Sequence, residues 1–232
     1  MTQAPPPHGT PEHPRVAVRG DARLEVEPET ARVGITVTAR GKDRRHALDD
    51  LTRRNNQVLE LARGYGPAVE KLETGAFSLT PELAQSGRNE KIRAYHGRVH
   101  ITAVLNDFTA LGEFTTRIAD LEMTRVNGPW WGLRPGSPAH AEARRLAVHA
   151  AVQRAREYAG ALGSQLTALV ELADLGAENA APPVPAAPGA PRGRAAYAGA
   201  AAEPAPALDL EPQRQTVCAQ VNARFIMSPP KL

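Results

Sequence analysis

The residues of this 232-residue chain that could be chemically reactive are seven histidines, one cysteine and scattered carboxylates. His96 and His100 stand four apart where apolar and polar residues alternate. On a strand they share one face, as two imidazole ligands of a metal would. Strand rise separates them by about 13 Å, too far for one ion. His140 and His149 fall on a helical pattern, about 13.5 Å apart along the axis, and cannot share an ion either. His8 and His13 belong to a proline-rich tail. Cys218 sits among Val217, Ala219 and Val221, an ordinary strand setting without the positive surroundings that activate a thiolate. Asp49 and Asp50 are adjacent on a helix and diverge by about 100°, so they are not a paired acid and base. The glycines from Gly132 to Gly136 lack the spacing and the lysine of a phosphate loop. These residues supply no catalytic set, no metal site and no cofactor site, and the expectation is a non-enzymatic protein.

Two groups could bind rather than react. Arg40, Lys42, Arg44, Arg45, Arg53 and Arg54 form the densest basic cluster and could make an anion-binding surface, although a solvated helix face accounts for the same pattern. Arg45 and Asp49 are spaced to pair at i, i+4. Charge balance argues only weakly for a polyanion partner. Lys and Arg number 28, Asp and Glu 25, and the net charge is +3. The basic residues are interleaved with acids instead of segregated, so nucleic acid is not the expected partner. Trp130 and Trp131 stand out because aromatics are only 4% of the chain. Adjacent on a strand, they point to opposite faces. One can fill the core; the other is a candidate interface anchor, since tryptophan is enriched at binding hot spots.

The elements that must carry these residues follow from periodicity. Residues 1–14 hold five prolines and read as a disordered tail. Arg15–Gly20 alternates as a strand, continued by Leu24–Glu27 past a bend at Gly20-Asp21. Ala31–Ala39 is a second strand, apolar at odd positions. Asp43 caps a helix that runs to Gly64, with polar Arg54 and Asn55 where an apolar residue belongs. Strands follow at Val69–Leu79 and Ile92–Leu105, joined by a polar loop, Thr80–Asn89. Asn106-Asp107 caps a helix ending at Asp120, and a strand spans Met123–Leu133. Ser137-Pro138 opens a long helix to Leu162. Ala143, Ala147, Ala151, Ala155, Tyr158 and Leu162 make its narrow stripe, and Gly163 stops it. Strands at Leu166–Leu175 and Gln215–Met227 flank residues 177–212, an Ala/Pro-rich stretch expected to be a flexible loop.

This order predicts an α+β fold: a mostly antiparallel sheet with helices on one face. It includes a ferredoxin-like βαββαβ unit over residues 31–133, a long alanine-rich helix and C-terminal strands. The organisation expected is one domain over 15–227, with tails at 1–14 and 228–232. The N-terminus has no apolar core of a secretory signal, and no run approaches about 18 apolar residues, so the cytoplasm is the expected location.

Several short motifs occur in a particular order. They are Val18-Arg19-Gly20, Val26-Glu27-Pro28-Glu29-Thr30-Ala31, Asn55-Asn56 in the first helix, Thr74 leading to Pro81, and Ala94-Tyr95. Ala143-Arg144, Ala147-Val148 and the Ala159–Gly163 segment follow. In this order they resemble the SIMPL-domain family of unknown biochemical function, over roughly residues 15–227. The resemblance implies ring-like or channel-like homo-oligomers, stress-related roles in bacteria and association with a signalling kinase in animals. It implies no catalytic residue. The function expected is a homo-oligomeric assembly or protein-interaction module. Its rivals are a small-ligand binder or enzyme with a cleft between the long helix and the sheet, and a nucleic-acid binder through the Arg-rich first helix.

Overall fold

The computed structural model describes residues 9–83, 92–175 and 208–231. In chain order the elements are β1 (Arg15–Val26), β2 (Thr30–Gly41), α1 (Arg44–Arg63), β3 (Val69–Leu83), β4 (Ile92–Leu105), α2 (Phe108–Ala119), β5 (Thr124–Gly132), α3 (Pro138–Ala161), β6 (Leu166–Asp174) and β7 (Gln215–Met227). The fold is α+β, as the periodicity predicts. Its strands are shared between two antiparallel sheets, ordered β1-β7-β6 and β3-β4-β2-β5, and the chain forms two compact units around them.

One unit, residues 27–134 with 197–215, carries the ferredoxin-like βαββαβ order from β2 to β5. β2 lies between β4 and β5, with Ile35 opposite Ile101 on one side and Val126 on the other. Its odd residues Ala31, Val33, Ile35, Val37 and Ala39 are buried. They join Val99, Ile101, Ala103 and Leu105 of β4 beneath Leu51 and Val58 of α1 and Leu111, Phe114 and Ile118 of α2. Strand periodicity of two and helix periodicity near 3.6 thus meet on one face of this sheet. Asp43 caps α1 by accepting from the His46 N–H, and Asp107 caps α2 by accepting from the Thr109 and Ala110 N–H groups. Arg54, at the irregular place in α1, bonds to Asp50 at 2.8 Å and Glu122 at 3.2 Å, its side chain only 13% exposed. The expected Arg45–Asp49 pair does not form; Asp50 is the acid that pairs, with Arg53 and Arg54. The polar loop expected from Thr80 begins later, because β3 stays paired with β4 as far as Leu83, opposite Ile92. Pro81 is tolerated there because β3 is an edge strand. The rest of that loop lies outside the described residues.

The other unit, residues 1–26, 135–196 and 216–232, packs α3 on the sheet β1-β7-β6. β1 is unbroken through Gly20, contrary to the expected bend. Gly20 serves close approach instead: a Cβ there would strike the Ala147 carbonyl oxygen and come within 2.7 Å of Ala151 Cβ. The buried stripe of α3 is Ala143, Ala147, Ala151, Ala155 and Ala159. Tyr158 and Leu162, expected to extend it, are exposed. The i+4 row leads to Ala159, and Tyr158 is turned about 100° away from that alanine. Ser137 caps α3 by accepting from Ala139 N–H, and Gly163, at φ 65°, follows it in the left-handed conformation that ends helices. Of the expected flexible stretch 177–212, residues 177–207 lie outside the described residues, as does most of the expected N-terminal tail. Leu208, Leu210 and Pro212 line a recess with Phe108 and Gly112 of α2. No described helix is long and apolar enough to cross a membrane.

The Gly20 contact gives a measurable expectation. Gly20→Ala should lower the stability of the α3 unit by about 1–3 kcal/mol, the usual cost of overpacking a filled site. Urea unfolding followed by circular dichroism measures it. An unchanged midpoint would show that β1 and α3 do not approach this closely.

Candidate functional site

In the α3 unit the surface least covered by its own fold is the edge strand β6. β6 pairs with β7 on one side, placing Leu169 opposite Phe225 and Leu172 opposite Ala223. Phe225 and Ala223 are buried in the core with Ala147, Ala151 and Ala155 of α3. Leu169 and Leu172 therefore point to the helix side of the sheet. α3 runs along β1, however, and barely reaches β6. Leu169, Val170 and Leu172 are left 54%, 41% and 45% exposed, and Leu175 beyond them is exposed too. Between α3 and β6 runs a groove of about 500 Å³, lined by Val152, Arg156, Leu166, Leu169 and Phe225. Ser164 also lines it, and its buried hydroxyl has no hydrogen-bond partner among the described residues. β1, the opposite edge, alternates charged Arg19, Asp21, Arg23 and Glu25 along its length. Charges of that kind protect an edge; β6 has neither lysine nor proline, and its acids are Glu171, bonded to Arg224, and Asp174 at its end.

The sequence-derived candidates lie elsewhere. Trp131 packs on the ferredoxin-like core, edge-on to Phe108 at 4.9 Å between ring centres. Trp130 is on the opposite face, 48% exposed, with the Arg32 guanidinium 5.3 Å over its ring. Of the six basic residues, Arg40 bonds Glu82 at 2.8 and 3.0 Å, Arg44 lies 5.7 Å over Tyr95, and Arg53 and Arg54 bind Asp50. Lys42 and Arg45 flank the α1 cap, Asp43. His96 Nε2 is 2.7 Å from the same Glu82 oxygen that Arg40 uses, while His100 faces Thr36, with Nδ1 3.4 Å from its hydroxyl. Cys218 is exposed on β7. Among the described residues, no group of three or more His, Cys, Asp or Glu could hold a metal ion. The hydrogen bond from His96 and those from Arg40 hold the Glu82 carboxyl below the usual glutamate range. Periodicity could not expose the β6 surface, because strand alternation does not say which strand ends a sheet. The signal available was compositional: Leu169-Val170 and Leu172 without a basic residue between them.

Two antiparallel sheets, the βαββαβ unit and the alanine-lined helix define an α+β protein of the kind the motif order suggested. The family model SIMPL, described as a protein of unknown function (DUF541), matches residues 16–225, and the chain belongs to that family. No curated protein matches it. Among solved structures it is similar to a Burkholderia cenocepacia protein provisionally named an amidohydrolase/peptidase, at 20% identity and a TM-score of 0.23. That likeness covers 57% of this chain and 33% of the other, and it carries no weight for fold or activity.

Two measurements check the placements. Followed by NMR, the Glu82 carboxyl should titrate below an ordinary glutamate. Its contribution to stability is then complete above the unfolded-state value and is lost only as pH falls through the lowered folded value. A titration at or above the ordinary value would mean the contacts with His96 and Arg40 are not made. In Trp131→Phe the remaining Trp130 emission should be red-shifted and readily quenched by acrylamide; in Trp130→Phe the remaining emission should be bluer and protected. The reverse order would exchange the two faces.

Proposed function

We propose that this SIMPL-family chain is a non-enzymatic assembly module whose β6 edge pairs with a second copy of itself. The supporting observation is the exposed row Leu169, Val170 and Leu172 on a strand whose outer edge has no partner among the described residues. Antiparallel addition of β6 to β6 about a two-fold axis would extend each three-stranded sheet into one of six. It would satisfy the edge N–H and C=O groups and cover leucines that α3 leaves bare. The same copy would bring side chains to the groove beside α3, where Ser164 has no partner among the described residues. A second copy suits this edge because both sides of such a pair are equally apolar and need no separate evolved partner.

Light scattering coupled to gel filtration tests the proposal. The wild type should run as a dimer or larger at micromolar concentration. Leu169→Lys with Leu172→Lys should run at monomer mass with an unchanged circular dichroism spectrum, since both side chains are exposed. A monomeric wild type would reject assembly; an oligomer indifferent to the lysines would reject β6 as its site.

A further inference from the structure

The face of the ferredoxin-like sheet opposite α1 and α2 has a different character. The even residues of β2 that point there are Arg32, Gly34, Thr36, Thr38 and Arg40. Thr36 is only 4% exposed although α1 and α2 pack on the other face. Its cross-strand neighbours are His100 of β4 and Arg125 of β5, and Thr38 stands opposite Arg98 of β4. Around these threonines is a concavity of about 880 Å³, lined also by Arg54, Glu122 and Met123. Arg54 of α1, Arg98 of β4 and Arg125 of β5 line this hollow with one carboxylate, Glu122, and Arg54 is also held by Asp50 at 2.8 Å. Glu122 is already bonded to Arg54 at 3.2 Å. Arg98 pairs with no carboxylate among the described residues. Met123 at the rim has φ 57°, a left-handed conformation that costs energy for a residue with a Cβ and that clusters at binding sites.

The floor matches the walls. Thr38 donates its hydroxyl proton to the Met123 carbonyl at 3.0 Å, so it is spent. Thr36 Oγ1 has His100 Nδ1 as its neighbour at 3.4 Å. If that nitrogen carries a proton, Thr36 accepts there and its own O–H is free to donate into the hollow. A buried hydroxyl donor opposite Arg125 of β5, with Arg98 of β4 two residues further along, suits the tetrahedral oxygens of a phosphate. Along the same face of β2, about 13 Å from Thr36 by strand rise, stands Arg32 over Trp130. The Trp130 ring closes over Gly34, where a Cβ would lie 3.2 Å from it and 3.1 Å from the His100 ring. Such a flat, half-exposed platform accepts a stacked base.

We infer that this face binds a nucleotide phosphate in the Thr36–Arg98–Arg125 hollow, with Trp130 and Arg32 as the stacking platform for a base. The ligand is a phosphate ester with an aromatic base, either free or as one unit of a single strand. No residue of this site belongs to β6.

Titration of the full chain with three probes, inorganic phosphate, AMP and a fluorescein-labelled oligothymidylate, tests this by calorimetry and fluorescence anisotropy at low salt. Binding of AMP identifies the free nucleotide as sufficient. Binding of the oligonucleotide without AMP identifies the single strand. Either result supports the site, provided Arg98→Ala and Arg125→Ala each weaken binding by at least about tenfold, the scale of a lost charge-assisted hydrogen bond. Arg156→Ala, which removes a positive charge from α3, should leave binding within about twofold. Trp130→Ala should weaken the base-bearing probes but not inorganic phosphate. A wild type that binds neither AMP nor the oligonucleotide overturns the inference. So does a loss in Arg156→Ala equal to that in the hollow, which would mean unspecific charge.

Discussion

β2 runs between β4 and β5 and turns Ala31, Val33, Ile35, Val37 and Ala39 toward α1 and α2. Because the side-chain period of a strand is two, that commitment leaves the intervening residues no choice of face. A slip of one residue would drive Arg32, Thr36 and Arg40 into the apolar layer and expose five buried aliphatic residues. Burying a valine or isoleucine contributes about 1.5–3 kcal/mol, so the register is strongly determined. Both features of the opposite face descend from it: the Arg40–Glu82–His96 network and the arginine-walled hollow around Thr36. The helix-bearing face gives stability, and the polar face is what remains for interaction.

The α3 unit solves its packing by removing atoms. Five alanines at i+4 spacing give the helix a smooth side, and Gly20 clears the strand beneath it. Little apolar area is gained per residue in such a contact, but the backbones come close and dispersion acts over many atom pairs. The narrowness of the stripe has a corollary. A helix seated so tightly along β1 cannot also lie over β6, and the large residues of β6 are left outside.

Much of this was legible in the residues. Asp43, Asp107 and Ser137 announce their helices because a side-chain acceptor at the cap has a local, short-range job. The alternation in β2, β4 and β7 and the alanine row of α3 are local for the same reason. What could not be read is non-local. Nothing in the spacing says that the strands divide between two sheets, or that β7 enters between β1 and β6. Gly20 reads as a bend until a helix from far along the chain is seen above it. The basic residues illustrate the limit best. The run Arg40–Arg54 is dense in sequence, yet four of its members are engaged with Glu82, Tyr95 or Asp50. Arg54, Arg98 and Arg125, scattered along the chain, line one hollow because pairing brings their elements together.

The position of β7 in its sheet bears on how the chain comes to be made. The middle strand of β1-β7-β6 is the one translated after both of its neighbours, across a long intervening segment. Until it leaves the ribosome, β1 and β6 have nothing to hydrogen-bond to in this sheet, and α3 has half a floor. The βαββαβ elements, by contrast, are contiguous and can close while synthesis continues. A premature stop before Gln215 would therefore release a molecule with one finished core and one open one, whose bare strands are an invitation to aggregation and to cellular proteases.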